Sequence, residues 1–198
     1  FRIHYSTQPE HLPPGYPDLQ SVRDLAAHLE TAYAFHRDVS GMGVAAVDDT
    51  LGGGQDLIDC YFFDLEDLFG WAHAEIPVAG SCEESHAGFM AVSTDFGFSE
   101  FGDQLRLTSE HEYYHLLQFS IDPFQSSWSE ESTARNSEFH VWPEIAAPRG
   151  ILDWVSHPYY PLWSGEGIRK YAPHFWFFLE AVLDREIMTR IWKRCCQV

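Results

Sequence analysis

Basic residues are scarce in this sequence. Its 198 residues include 12 Lys and Arg against 30 Asp and Glu, which gives a formal net charge of -18 at pH 7. Phosphate recognition needs a basic surface that releases counterions, so we do not expect nucleic acid as a partner. An acidic excess is first of all typical of a solubilising surface, and it also attracts cationic peptides and divalent ions.

Long apolar runs are absent as well. No stretch reaches the roughly 18 residues that a membrane helix needs, so no membrane association is expected. Hydrophobic residues nevertheless make up 45% of the chain and aromatic residues 16%, which is typical of a globular protein. The length suits one domain with a sizeable core, and we predict that residues 1–198 form a single domain.

Cysteine is also rare, with four residues in the chain. Cys195 and Cys196 are adjacent and cannot easily pair with each other. Cys60 and Cys82 therefore remain, either as a disulfide bridge or as two buried free thiols. This alternative leaves the redox compartment undecided.

The first half of the chain carries the signals of a sheet. Alternation of apolar and polar residues over 1–5 predicts a strand, and the apolar segments 57–63 and 88–93 predict two more. Helical spacing of apolar residues over 22–33 predicts a long helix after the first strand. The segment 70–85 shows no sustained period and is interpreted as irregular.

The second half carries the signals of helices. A segment from Asp103, a suitable N-cap, to residue 120 lacks Gly and Pro and is closed by Pro123, which predicts a helix of four to five turns. Further helices are predicted over 128–142, 165–183 and 186–194.

The order of these elements predicts an α+β fold. A small mixed sheet in the upper part, residues 1–122, is expected to pack on the helix from Asp103, and a mainly helical lower part, residues 123–198, follows. The apolar side of this helix would face the sheet, and its polar side would remain available for chemistry.

That polar side carries the motif His111-Glu112-x-x-His115. Residues four apart are neighbours on a helix, so the two imidazoles can direct nitrogens at one point, where they could hold Zn²⁺. Glu112 is offset around the helix axis and can reach a water molecule instead of the metal. The spacing thus separates two ligands from a general base.

A catalytic zinc site needs a third protein ligand and an open position. The next predicted helix supplies two adjacent carboxylates, of which Glu131 shares a face with Trp128 and Ala134. Glu130 points about 100° away on a helix and is the less favoured ligand. We therefore predict His111, His115 and Glu131 as metal ligands.

The motif His111-Glu112-x-x-His115 followed by Trp128-x-x-Glu131 resembles the gluzincin metallopeptidases, the clan of thermolysin and the M1 aminopeptidases. The order of the predicted elements is similar to bacterial families of secreted metalloproteases. This resemblance implies a zincin-like fold, zinc held by the three ligands, and Glu112 as the general base. It also implies that the strand before the zinc helix, matched by 88–93, lines the substrate cleft.

The resemblance has two departures. The segment between His115 and Glu131 is shorter than in thermolysin and lacks the sequence N-E-x-x-S-D, so the site is closer to the W-x-x-E form of the aminopeptidases. No exopeptidase signature such as G-x-M-E-N is present, so an endopeptidase acting on peptides or proteins is favoured. The family likeness also implies a secreted, extracellular protein whose signal peptide is not part of the chain that begins at Phe1.

Two further roles are assigned to residues near the motif. A Tyr or His is expected to stabilise the oxyanion, with Tyr160 preferred over His157, Tyr159 and Tyr171. Glu138, on the same face as Glu131, is a candidate acceptor for the second nitrogen of a ligand histidine, or a solvent-facing residue.

The Gly-rich loop over 41–54 and its surroundings contain several aspartates. They could hold Ca²⁺, but they lack the EF-hand pattern, and a solvated acidic loop is favoured. These aspartates are Asp48, Asp49, Asp56, Asp59 and Asp64.

Two rival functions remain open at this point. In the first, zinc is structural and only holds together the helices of a non-catalytic binding module. A structural site would, however, need four ligands and no base. In the second, the same centre hydrolyses a substrate other than a peptide. Glu112 favours a hydrolase over a binding module.

Overall fold

The computed structural model describes most of the chain. The described residues are 1–6, 19–48, 51, 56–79, 82–97, 100–146 and 173–196. Within them the strands are β1 (Arg2–Tyr5), β2 (Asp59–Phe63), β3 (Gly70–Pro77) and β4 (His86–Ser93). The helices are α1 (Leu19–Phe35), α2 (Phe101–Phe119), α3 (Ser127–Val141), α4 (Pro173–Val182) and α5 (Ile187–Cys195).

The four strands form one mixed sheet in the order β1-β2-β4-β3. β1, β2 and β4 run parallel, while β3 lies at an edge and runs antiparallel to β4. The three strands predicted from the sequence are confirmed. The interpretation of 70–85 as irregular is wrong for Gly70–Pro77, whose residues alternate between half-buried and exposed. Its inward positions Ala72 and Ala74 are too small to give a strong apolar period.

The predicted helices are also present, with shifted ends. α1 continues into a π-helical turn, His36–Ser40, and Pro173 is the first described residue of α4. The N-cap of α2 is Glu100 rather than Asp103, which lies in the first turn of the helix. There Asp103 can still interact favourably with the positive end of the helix dipole.

α2 lies at the centre of the molecule. It packs on β3 and β4 on one side and on α1 and α3 on others. Tyr113, Tyr114, Leu116 and Leu117 are all buried in the common core with residues of α1 and the sheet. Most residues over 108–118 are buried because helices as well as the sheet pack on α2, and the polar side with His111 and His115 opens onto a cavity.

The cysteines pair differently from either alternative. Cys82, in the connection between β3 and β4, forms a disulfide with Cys196 at the end of α5, with their Cα atoms 4.8 Å apart. Cys60 is a buried free thiol on β2, and Cys195 is also free. The predicted Cys60–Cys82 bridge is thus wrong, because the fold brings the C-terminal end of α5 to the β3–β4 connection.

The coarse prediction of a mixed α/β chain is confirmed: a small mixed sheet packs on α2, and helices follow. No helix in the described part of the chain is both long and apolar enough to cross a membrane.

Candidate metal centre

The two histidines of the motif meet a carboxylate from the next helix. His111 and His115 lie one turn apart on α2, with ring centroids 4.8 Å apart. α3 returns alongside α2 and brings Glu131, so that one ligand atom from each of the three residues lies within 4.8 Å of the others. Ser126 begins α3 as its N-cap and accepts from the backbone N–H of Ser129. These three side chains could hold a metal ion.

Two carboxylates from α3 orient His111. Its Nδ1 lies 2.7 Å from Oε1 of Glu138, and its Nε2 lies 3.3 Å from Oε2 of Glu131. The carboxylate of Glu138 also lies 3.8 Å from the guanidinium of Arg135. Glu138 therefore takes the position proposed for it, as the acceptor that fixes the ring and leaves Nε2 directed at the ligand group.

Gln118 orients His115 in a similar way. Its side-chain amide donates to the carbonyl of Glu130 at 2.9 Å and to the hydroxyl of Thr133 at 2.8 Å. The amide oxygen consequently faces Nδ1 of His115, at 2.7 Å, and accepts a hydrogen bond from its N–H group. This leaves Nε2 of His115 as the ligand atom. Gln118 was missed in the sequence, although its position three residues after a ligand histidine was a usable signal.

Glu112 is buried beside this group without a hydrogen-bond partner among the described residues. Its side chain is 6% exposed and lies against the first residue of β3. A Cβ atom on Gly70 would lie 2.5 Å from Oε1 of Glu112, so only glycine leaves room for the carboxylate there. Burial raises the pKa of Glu112 to about 7, with Glu131 and Glu138 adding to the rise and His111 opposing it.

The two histidines differ in their proton affinity. Burial, together with the charge on His111, lowers the pKa of His115 to about 4, so His115 is neutral at pH 7. Burial also lowers that of His111, but hydrogen bonds to Glu131 and Glu138 outweigh this effect and raise its pKa to about 10. A metal at the site would replace the proton that His111 holds between its two carboxylates.

A cavity of about 490 Å³ opens onto these residues. The segment 67–72 at the start of β3 forms one wall, and α2 and α3 form the others. None of the described lining residues belongs to β4, so the expectation that 88–93 lines the cleft is wrong. β4 is an inner strand of the sheet, and the antiparallel edge strand β3 takes this place instead.

Glu130 lines the same cavity but does not join the three-ligand group. Burial, and next the charges of Glu131 and Asp122, raise the pKa of Glu130 to about 7. Glu131, and not Glu130, thus lies within reach of the two histidines, and its role as a ligand stays a prediction. The 100° offset between adjacent helical residues places the two carboxylates at different parts of the cavity wall.

Some predicted residues lie outside the described part of the chain. They are the oxyanion candidate Tyr160 and its alternatives His157, Tyr159 and Tyr171, together with Asp49 of the acidic loop. Among the described residues, the other aspartates of that loop form no three-ligand group.

Comparison of the chain with protein-family models, with curated proteins and with solved structures gives no match. The gluzincin resemblance therefore stays a prediction that rests on the motif residues.

Proposed function

We propose that this protein is a zinc-dependent peptidase in which Glu112 is the general base. The observation that carries this proposal is a buried carboxylate without a hydrogen-bond partner in the described structure, placed directly beside the group His111, His115 and Glu131. Burying a carboxylate costs free energy, so a purely structural metal centre would gain nothing from Glu112.

The donor set fits zinc. Imidazole nitrogens and a carboxylate oxygen are ligands that Zn²⁺ accepts, and three protein ligands leave a fourth position open for catalysis. The orienting contacts from Glu138 and Gln118 are of the kind that ligand histidines usually make in such centres. When bound, zinc supplies a Lewis acid for the substrate carbonyl and lowers the pKa of a water molecule to about 7.

The protein's own residues then handle the proton. Glu112, whose pKa burial raises to about 7 in the metal-free protein, can accept a proton from the attacking water, and it can afterwards donate that proton to the leaving nitrogen. Gly70 supports this role because the absence of a side chain lets Glu112 face the cavity. His111 and His115 keep fixed tautomers through Glu138 and Gln118.

A peptide substrate is supported by the position of β3. In the described sheet this strand pairs with β4 alone, so its other edge carries backbone groups that an extended peptide can pair with. The start of the same strand lines the cavity, which would bring a bound peptide past Glu112. An antiparallel edge strand beside the HExxH helix also supports the zincin-like interpretation of the fold.

The test is cleavage of a denatured-protein library. The chain is incubated with the library after zinc loading, with and without a chelator, and new peptide termini are identified by mass spectrometry. We expect internal cleavages that disappear with chelator and return on zinc addition. Stoichiometric zinc without any new terminus would contradict the proposal and favour a zinc-stapled binding module or a non-peptide substrate.

A further inference from the structure

The cavity beside the candidate metal centre is strongly acidic. Its described lining includes five carboxyl groups, against one arginine and His111, which holds a proton in the absence of a metal. These carboxylates belong to Asp67, Glu112, Glu130, Glu131 and Glu138. Arg135 already lies 3.8 Å from Glu138, and a divalent ion would offset only part of the remaining charge. A cavity of this composition attracts cations and disfavours anions.

The candidate centre uses three of these carboxylates. Glu131 belongs to the ligand group, Glu138 orients His111, and Glu112 faces the cavity as the base. Glu130 neither belongs to the ligand group nor orients a ligand, and it is not the proposed base. It is half-buried, its backbone is held by the hydrogen bond from Gln118, and no cationic side chain of the described structure pairs with it.

Two aromatic residues also line the cavity. Phe69 and Trp71 lie at the start of β3 and are 44% and 47% exposed, and both line the cavity. Lys and Arg have long aliphatic stems that pack on apolar surfaces while the charged end reaches a carboxylate, and their cationic groups are also attracted to aromatic faces. A lining of both aromatic and acidic residues suits such a side chain better than a short polar or an acidic one.

A second feature indicates that the cavity receives a ligand. Glu112 is only 6% exposed and lines the cavity. No side chain or backbone group of the described structure donates a hydrogen bond to it. The cavity therefore combines a carboxylate that is free to act on a ligand with acidic and aromatic residues that can recognise it.

We propose that the cleft takes peptides with a Lys or Arg side chain next to the scissile bond, and that Glu130 binds the cationic group of this side chain. This inference rests on the proposed peptidase function and names its substrate class. The cation is the side chain and not a free amino terminus, because an extended peptide paired along β3 directs side chains into the walls of the cleft.

Binding of matched peptides tests the inference without hydrolysis. Peptides acetylated at the amino terminus, carrying Lys, Arg or Gln at one central position, are titrated into zinc-loaded Glu112→Gln protein and followed by fluorescence anisotropy. We expect the Lys and Arg peptides to bind about tenfold more tightly than the Gln peptide, as for a charge-assisted contact, with a difference that shrinks at high salt.

The role of Glu130 is tested by adding Glu130→Gln to the same protein. The preference for Lys over Gln should disappear, while Glu83→Gln, which removes an exposed charge outside the cavity lining, should preserve it. Equal affinity for all peptides in the parent protein would overturn the inference. A Lys preference that survives Glu130→Gln would overturn it as well.

The library cleavage separates this inference from the peptidase proposal. Chelator-sensitive cleavage without enrichment of Lys or Arg beside the cut bond would contradict the substrate class and leave the peptidase standing. No cleavage, combined with a Lys preference in binding that depends on Glu130, would contradict the peptidase and leave the cationic binding site standing.

Discussion

α2 carries a histidine–glutamate contact on each of two sides. On one side, Nδ1 of His111 lies 2.7 Å from the carboxylate of Glu138. On the other, Nε2 of His36 lies 2.8 Å from the carboxylate of Glu110, the residue that directly precedes His111. The two pairs use the same residue types, yet they differ in what surrounds them.

The pair of His36 and Glu110 is closed. Nδ1 of His36 faces the hydroxyl of Ser40, and Ser137 donates its hydroxyl to Glu110. Both side chains of the pair are at most 1% exposed. His111 instead keeps its second nitrogen on the cavity side, beside Glu131 and His115. A buried pair serves the fold when protein encloses it on all sides, and it can serve chemistry when it opens onto a cavity.

The largest expected difference between the two sides is in metal binding. His111→Ala removes a ligand and should abolish stoichiometric zinc, because two ligands hold the ion weakly. His36→Ala removes a histidine from the closed pair and should leave zinc content unchanged in the folded fraction. Metal analysis of both purified variants measures this, and full zinc retention in His111→Ala would refute the ligand assignment.

The next effect is on rate. Glu112→Gln should lower the cleavage rate by about 10²–10⁴-fold, because an amide cannot accept the proton, while zinc stays bound. The measurement is kcat/KM on a peptide taken from the library cleavage, together with zinc content. Glu83→Gln is the matched control for loss of a carboxylate and should behave as the parent. Undiminished hydrolysis by Glu112→Gln would exclude it as the base.

The buried pair of His36 and Glu110 should contribute more to the free energy of unfolding than an exposed ion pair. Glu110→Ala leaves His36 and Ser137 without their acceptor in the core, so we expect the free energy of unfolding to fall by about 3–5 kcal/mol. Glu144→Ala breaks an exposed ion pair with Arg106 and should change it by about 0–1 kcal/mol. Urea denaturation of both variants gives the comparison. Equal stability of the two would show that the buried pair contributes little.

The smallest effect concerns the orientation of His115. Gln118→Leu removes the acceptor for Nδ1 and should weaken zinc binding by about 10–100-fold. Gln104→Leu also changes a glutamine of α2 that lines the cavity, but this residue contacts Thr108 and not a ligand, so zinc affinity should be retained. Competition with a zinc indicator measures both affinities. An unchanged zinc affinity in Gln118→Leu would show that Gln118 does not orient His115 for metal binding.

Some of the fold was accessible from the sequence because the signal was local. Alternation in β1 and apolar runs in β2 and β4 report burial of a strand directly. β3 was missed because most of its inward residues are small, and the disulfide was missed because Cys82 and Cys196 are separated by 114 positions. No local pattern reports which distant thiol the fold brings close.

For the candidate centre, the sequence by itself determined that His111 and His115 share one helical face with Glu112 offset beside them, because helix geometry fixes neighbours four residues apart. Which carboxylate of α3 faces them was an inference from helical spacing that agrees with the structure.

Only the tertiary structure decided the rest. The packing of α3 against α2 separates the open pair of His111 from the closed pair of His36, and it places Gln118 on the second ligand histidine. The start of β3 leaves space for the Glu112 carboxylate at Gly70. Apart from the contact of Gln118 with His115, these contacts join residues distant in sequence, and their strength depends on burial and on the cavity, which no local spacing encodes.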